Sequence, residues 1–482
     1  MRGRIGAVLA PTVFVALLVL PLPALSPEAH RLAAVMAGVI VLWVTEALPL
    51  PVTALLGAAL SVVLGVAPAK EVFAPFADPL MFLFIGAFIL ARGIFLHGLD
   101  RRVAYAVLSL PWVGARPGRI LLAFGAATAL ISAWISNTAT TAMMFGIGLS
   151  ILATLRAPGA TPAIDPRYAS ALMLMTSFAA SIGGLATPVG TPPNLIGIGF
   201  IRSQLGVDIA FFRWMLLGLP VVVVLFIFLY CYLAAVGPAG VRELPAGGEL
   251  IRREREGLGP WTSGQRSVAL AFGGTVALWV IPGVVAVVAG EGSPLYQALA
   301  RHLPEGVAAL LGATALFLLP GKDGRAITWR EAVAIDWGVV LLYGGGFALG
   351  VLSFRTGLAE ALGRGLTGLL PVEGSFGLLV ASVMLAAILS ETTSNTASAN
   401  MVVPVVISIA RAAGVDPLEP ALGATLGASL GFMLPVSTPC NAIVYGSGYI
   451  PLGRMMRWGL ALDLAGVVVV VVVVRGLSHL VR

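Results

Sequence analysis

A polar triplet occurs twice in sequence that is otherwise apolar. Ser136-Asn137-Thr138 lies in ISAWISNTATTAMM, and Ser394-Asn395-Thr396 lies in ILSETTSNTASANM. Each triplet is followed at a similar remove by a Pro-containing motif: GTPPN from Gly190 to Asn194, and STPCN from Ser437 to Asn441. The chain therefore repeats two parts in the same order, and Gly or Pro interrupts apolar segments at matching places. Interrupted repeats of this kind point to a transporter's substrate site, because backbone freed from a helix ladder is tolerated at membrane depth only beside protein or a cavity.

Hydrophobic residues make up 59% of the chain and charged residues 11%, and the mean hydropathy is +0.99. This excludes a soluble globule and fits an all-α polytopic membrane protein seated in a lipid bilayer. Crossing a hydrocarbon core of ~30 Å takes about 20 helical residues. Suitable apolar runs fall near 5–25, 33–47, 52–67, 79–98, 210–235, 267–290, 304–320, 337–353 and 455–474, and further apolar stretches carry the motifs. The first run follows Met1-Arg2-Gly3-Arg4 and is longer than the apolar part of a signal peptide, so it reads as the first transmembrane helix. The valine run Val467 to Val474 favours strand by propensity, yet an isolated strand in lipid leaves its backbone unsatisfied, so a helix is expected.

With the N-terminus in the cytoplasm and the spans alternating, roughly 18 of the 29 basic residues lie on the cytoplasmic side, as the positive-inside rule requires. The expected location is the inner (plasma) membrane of a bacterium. The net charge of +7 is then topological, and no stacking aromatics interleave the arginines, which argues against nucleic acid as a partner. The longest polar segment, about Arg242 to Arg266, separates the halves and reads as a solvated cytoplasmic connector, with an amphipathic regulatory helix as the alternative. Cys231 and Cys440 lie in apolar segments and imply no disulfide framework. His30, His97, His302 and His479 lie near predicted helix ends without metal-ligand spacing.

The chemistry of the repeated clusters is that of ion binding. Ser and Asn supply neutral oxygens, and an interrupted helix adds free carbonyls, together the hard-oxygen cage an alkali cation needs. The same interruption creates helix N-termini carrying roughly half a positive charge, which attract carboxylate or sulfate oxygens. From 132 to 144, 187 to 199, 387 to 404 and 434 to 448 there is no Lys, Arg or His, so a bound anion is expected to have no fixed cationic side chain. A cation about 7 Å away at an effective dielectric near 20 returns ~2 kcal/mol, which makes anion binding depend on bound cations. Thr140, Thr141 and Ser398 read as small residues for helix packing. Asn137, Asn194, Asn395 and Asn441 are costly in hydrocarbon, and each sits in a matched context, so they read as a site.

Paired SNT motifs, each followed by a (S/T)-P-P-N-like motif, resemble the divalent anion/sodium symporter family of di- and tricarboxylate and sulfate transporters. The similarity extends to WVTEALPLPVTALL (Trp43 to Leu56), SIGGLATPVGTPPNLIG (Ser181 to Gly197) and GFMLPVSTPCNAIVYGSGYI (Gly431 to Ile450). The resemblance implies an inverted-repeat, elevator-type transporter with about eleven transmembrane helices, two re-entrant hairpins and a dimerising scaffold. The scaffold would comprise 1–118 and 237–372, and the moving transport parts 119–236 and 373–482. The hairpins are expected at about 120–155 and 373–411, with broken helices near 169–201 and 417–450.

Carried over by motif, the resemblance places a first sodium ion with Ser132, Ser136, Asn137 and Gly190, and a second with Ser390, Thr393, Asn395 and Ser437. Substrate carboxylates fall to Asn137, Thr138, Asn395 and Thr396, assisted by Thr191 and Pro192 and by Thr438 and Pro439. Asn194 and Asn441 would brace the loops. Ser390, Thr393, Ser437 and Cys440 depart from the commonest residues there, and Cys440 restores a backbone N–H where a second Pro usually stands. Glu391 is expected to hydrogen-bond structurally, and Glu46 to end a helix.

The implied activity is sodium-coupled import of C4-dicarboxylates such as succinate, malate and fumarate, with sodium as the coupling ion and no cofactor. Two equivalent tips suit two separated carboxylates; sulfate or citrate symport and sodium-independent exchange are the alternatives. Exchange would call for basic side chains in the cation sites, and the motifs have none. An intramembrane enzyme is disfavoured because no nucleophile–base pair, metal cluster or cofactor motif is present. A channel would not need a paired site.

Overall fold

The structure, a computed structural model, describes residues 2–155, 164–321, 324–367 and 374–481. Among these residues the only strands are a two-residue ladder, Pro320–Gly321 against Gly324–Arg325. Among the described residues nine helices are long and apolar enough to cross a membrane, and three shorter apolar ones are Leu50–Val63, Pro117–Ser132 and Glu305–Leu318. The valine run lies inside the helix Leu452–Leu477, as backbone satisfaction in lipid requires. Two expected spans, 52–67 and 304–320, prove to be helices of 14 residues each. At 1.5 Å per residue these reach about 21 Å, short of a full crossing.

The two halves repeat one plan. The hairpin Pro117–Ser132 and Asn137–Leu155 corresponds to Gly374–Thr392 and Asn395–Ala412. The broken helix Pro166–Gly183 and Pro192–Leu205 corresponds to Leu418–Gly427 and Pro439–Tyr445, and a long helix closes each half, Phe211–Val236 or Leu452–Leu477. Counting each broken helix once, and setting aside the short or polar helices, the apolar helical units outside the hairpins among the described residues are Arg2–Val19, Pro27–Thr45, Leu50–Val63, Pro79–Leu96, Ser263–Ala289, Glu305–Leu318 and Trp337–Arg355 with the four just named, which makes eleven.

The halves interlock by exchange. Leu50–Val63 packs on Trp337–Arg355, and Glu305–Leu318 packs on Pro79–Leu96, so each half's short helix lies against the other half's next helix. Both crossings depend on a glycine opposite an alanine. A Cβ on Gly86 would come within 2.6 Å of the Ala309 Cβ, and one on Gly345 within 2.6 Å of the Ala54 Cβ. Such close backbone approach is how helices associate where lipid removes the hydrophobic drive between them. The long closing helices also pack on each other.

The connector between the halves departs from expectation, because Pro245–Gly257 within it is an α-helix. Glu249 pairs with Arg252 and Arg253, each at 2.8 Å, one turn along the same face. Ile251 is buried, and the helix packs on Asn137–Leu155 and on the amphipathic helix Leu99–Leu108. The density of charge suggested a solvated linker; the i,i+3 and i,i+4 pairs and one buried isoleucine make it a helix. The histidines do lie at helix ends: His30 in the first turn of Pro27–Thr45, His97 capping Pro79–Leu96, His302 ending Pro294–His302 and His479 in Ser478–Val481. Glu46 ends its helix in the left-handed conformation, φ 51°.

Candidate functional site

Each SNT motif sits at the tip of a hairpin, where the serine ends the loop and the asparagine begins a helix. Ser136 Oγ accepts from Ala139 N at 3.3 Å and Ser394 Oγ from Ala397 N at 3.2 Å, the N-cap bonds that start both second arms. Five residues earlier a buried serine meets the asparagine amide, Ser132 with Asn137 and Ser390 with Asn395. Ser390 Oγ lies 2.7 Å from Asn395 Oδ1 and 2.7 Å from Ala428 O, so its single proton faces two acceptors. In the first half, one terminal atom of the Asn137 amide stands 2.8 Å from Ser132 Oγ, 3.1 Å from Ala180 O and 3.2 Å from Gly190 O. The satisfied orientation of the amide puts nitrogen there, where its two N–H groups face three oxygens. Convergence of neutral oxygens in excess of protons is the donor chemistry of a cation site.

The broken-helix loops are built by one device used twice. Asn194 Nδ2 donates to Gly184 O (3.0 Å) and Thr187 O (2.8 Å), while Asn441 Nδ2 donates to Gly431 O (2.9 Å) and Leu434 O (3.0 Å). The spacing, ten and seven residues back, is the same in both halves. Each asparagine is fully buried and satisfies carbonyls that the break in the helix leaves free. The halves differ at the amide oxygen. Asn441 Oδ1 accepts from Ser177 Oγ at 2.5 Å, whereas Asn194 Oδ1 has no partner. Ala424 occupies the position matching Ser177, on the helix that packs against Pro192–Leu205. Ala424→Ser is expected to supply the missing donor and raise stability by about 1 kcal/mol, read as a higher melting temperature of the purified protein; an unchanged or lower value would count against this pairing.

The four motifs meet at one cavity of ≈ 780 Å³. Asn137, Thr138, Thr191, Pro192, Asn395, Thr396, Thr438 and Pro439 all line it, together with Ser136, Gly190, Ser394 and Ser437. Four helices begin there, Asn137–Leu155, Pro192–Leu205, Asn395–Ala412 and Pro439–Tyr445. Their first-turn N–H groups place four positive dipole ends around one space. Ser132, Ser390, Thr393, Asn194 and Asn441 are buried and do not line the cavity. Cys440 lines it and is buried, with Thr138, Thr141 and Ser181 around its thiol.

The opposite wall was not legible in the motifs. It comes from Pro79–Leu96 and the start of Trp337–Arg355 and includes Arg92 and Asp336. Arg92 Nε is buried without a hydrogen-bond partner, and the guanidinium lies 5.7 Å from the Phe95 ring centroid. The absence of a fixed cation therefore holds for the motif segments and not for the cavity as a whole. Arg92 lies in neither cation set. An isolated arginine in an apolar helix has no sequence context that ties it to the SNT motifs.

The sequence pattern of the sodium:sulfate symporter transmembrane region matches residues 4–479. The chain belongs to that family. It is a membrane transporter and not an enzyme. A sodium-dependent dicarboxylate transporter, SdcS of Staphylococcus saprophyticus, is 34% identical over 481 residues, covering 98% of this chain and 90% of the relative. The SdcS of Staphylococcus aureus strain RF122 is 32% identical over 482 residues, with 98% and 90% covered. Two solved transporters share the fold: YdaH of Alcanivorax borkumensis (TM-score 0.53, 15% identity, 83% of this chain and 85% of that one) and MtrF of Neisseria gonorrhoeae (TM-score 0.51, 12% identity, 84% and 82%).

For a member of the sodium:sulfate symporter family, the side chains carried over from the motifs divide into two kinds. Ser390 and Asn395 have oxygens directed at one another, and Ser132 Oγ with the Ala180 and Gly190 carbonyls surrounds the Asn137 amide nitrogen. Thr393 Oγ1 donates to Leu389 O (2.8 Å) and Ser437 Oγ to the Glu391 carboxylate (2.6 Å), so their protons are already engaged and each position has its hydroxyl lone pairs and its backbone carbonyl to give a cation. Glu391 also accepts from Met433 N (2.7 Å) and Leu434 N (3.1 Å), which is structural hydrogen bonding.

Proposed function

We propose that the protein is a sodium-coupled symporter that imports C4-dicarboxylates by elevator-type alternating access. The observation that carries this reading is the meeting of two equivalent SNT tips and four helix N-termini at one cavity, with clusters of neutral oxygens directly behind the tips. Each tip offers an amide, a hydroxyl and free N–H groups to one carboxylate, and the cation behind it offsets the charge. The names of the relatives, sodium-dependent dicarboxylate transporters, support the same substrate and coupling ion.

In this reading the first sodium ion takes Ser132, Ser136, Asn137 and Gly190, and the second Ser390, Thr393, Asn395 and Ser437. Substrate lies between Asn137 with Thr138 and Asn395 with Thr396, flanked by Thr191, Pro192, Thr438 and Pro439. The hairpins and broken helices of 119–236 and 373–482 move together against 1–118 and 237–372, through which two copies pair. Asp78, the N-cap of Pro79–Leu96, pairs with Arg202 of the first broken helix (2.5 Å), a contact that the movement would break, while its bond from Tyr343 Oη (3.3 Å) lies within the scaffold and would persist.

The test is uptake of radiolabelled succinate into proteoliposomes under an inward sodium gradient, with potassium as control and excess sulfate or citrate as competitors. Sodium-dependent, sulfate-insensitive uptake is the expected result; two sodium ions balance one dicarboxylate, so a rate that is faster with a negative interior would mean that a further cation is carried. Uptake that needs internal dicarboxylate and ignores sodium would make the protein an exchanger and refute the reading.

A further inference from the structure

We propose that Arg92 is a third contact for the transported anion, supplied by the scaffold and lost when the transport parts move. The contact stands on the cavity alone; its loss on movement rests on the elevator reading above.

Arg92 lies one turn before the end of Pro79–Leu96 and is the only charged residue of that helix. An arginine near a helix end ordinarily reaches for the lipid headgroups. This one turns inward: its Nε is shielded from water, and Phe88, Ala91, Arg92 and Phe95 line the cavity where the SNT tips meet. Among the described residues the guanidinium makes no hydrogen bond or ion pair, and the Phe95 ring centroid lies 5.7 Å from it. Other arginines at span ends are committed, Arg202 to Asp78, Arg454 to Ser170 and Arg411 to the Gln204 carbonyl. So are the acids on the Arg92 side of the cavity. Asp336 caps Val339 N at 3.2 Å, and Glu331 accepts from Thr328 N and Oγ1 at 2.8 Å each.

A cation drawn partly out of water without a counter-charge is costly, and an anion in the cavity removes that cost. The planar fork of donors on a guanidinium matches a carboxylate, which can take two of them at once. At several Å and an effective dielectric near 20, one fixed charge raises the affinity for an anion on the order of tenfold or more. Arg92 thus supplies from the facing wall the fixed positive charge that the motif segments lack.

The helix that carries Arg92 packs on Glu305–Leu318, Ser263–Ala289, Leu99–Leu108 and Trp337–Arg355, every one of them within 1–118 or 237–372. The SNT tips belong to 119–236 and 373–482. Arg92 and the tips therefore face each other across the boundary at which the two parts would slide, and sliding carries a tip-bound anion away from the guanidinium. A contact made in one state and absent from the other raises affinity in the first state alone. Phe95 and Ala142 identify the side of the membrane concerned. Both line this cavity and also a neighbouring one of ≈ 830 Å³ bounded by His97, Asp100, Arg101 and Glu254. The substrate space thus continues toward the face that carries the linker helix Pro245–Gly257, and Arg92 strengthens binding from that face.

In purified wild-type protein, phenylglyoxal modifies accessible guanidinium groups and mass spectrometry of the peptides locates each one. Succinate at about ten times its half-saturating concentration should slow modification of Arg92 on the order of tenfold and leave Arg101 unchanged. Equal modification of Arg92 with and without succinate, citrate and sulfate overturns the contact, a result that needs no variant to fold. Equilibrium exchange of radiolabelled succinate in right-side-out and inside-out vesicles then reads the two faces. Arg92→Gln should raise the half-saturating succinate concentration on the order of tenfold on the linker-helix face and within about twofold on the other, whereas Arg92→Lys, which keeps the charge, stays within about threefold on both. An equal rise on both faces, or none on either, overturns the state-dependent role. Protection of Arg92 without sodium-dependent uptake would remove the symport reading and leave the anion contact standing; sodium-dependent uptake without protection would do the reverse.

Discussion

Asn137→Ala and Asn395→Ala should each lower sodium-dependent uptake by about a hundredfold or more while the purified variants remain folded. Each substitution removes an amide oxygen from a cation set and an amide from a substrate tip. Losing one hydrogen bond to a charged group costs about 1.5–3 kcal/mol, and the displaced cation forfeits a further ~2 kcal/mol of attraction for the anion. A sum near 3.5–5 kcal/mol is about two and a half to three and a half orders of magnitude in affinity. Folding survives because both residues line the cavity and are only half-buried. Gly184→Ala makes the same test from behind, since its Cβ would stand 2.3 Å from Asn137 Oδ1 and push the amide out of place. Uptake, sodium titration and melting temperature are measured together. Normal sodium dependence in both alanine variants would sink the assignment of these asparagines.

The sequence shows the site more fully than its surroundings. Asn137, Asn194, Asn395 and Asn441 are legible because a carboxamide in an apolar segment is expensive, and because each has a partner motif in the other half. Hairpin and broken-helix boundaries follow from the same breaks, 117–155 against an expected 120–155, and 418–445 against 417–450. What contacts these residues across the fold is not written locally. Arg92 is the single charge of an apolar helix, and only tertiary packing brings it to the cavity wall. The helix Pro245–Gly257 was obscured for a different reason. Its charges pattern as a solvated tail unless Glu249, Arg252 and Arg253 are seen as one face and Ile251 as the other. The short crossings at Gly86 and Gly345 likewise read as gaps in apolar runs until the facing Ala309 and Ala54 are known.

Asn441→Leu should have the largest effect on stability. The leucine fits the apolar surroundings in size but strands the Gly431 and Leu434 carbonyls and the Ser177 hydroxyl, all buried groups. Buried polar groups left without partners cost about 1–3 kcal/mol each, so a loss of about 3–5 kcal/mol is expected after partial relaxation. Asn194→Leu strands only the Gly184 and Thr187 carbonyls, because Asn194 Oδ1 had no donor to lose, and its cost should be smaller by about 1 kcal/mol. Thermal unfolding in detergent therefore ranks the variants wild type, Asn194→Leu, Asn441→Leu from most to least stable. Ser177→Ala separates the third bond from the other two: in the wild-type background it should recover about the difference between the asparagine variants, and in Asn441→Leu it should be nearly neutral or stabilising, since the hydroxyl it removes is already stranded. An Asn194→Leu protein as unstable as Asn441→Leu would mean that the Ser177 bond contributes nothing and that the two loops, despite their unequal hydrogen bonding, are energetically equivalent.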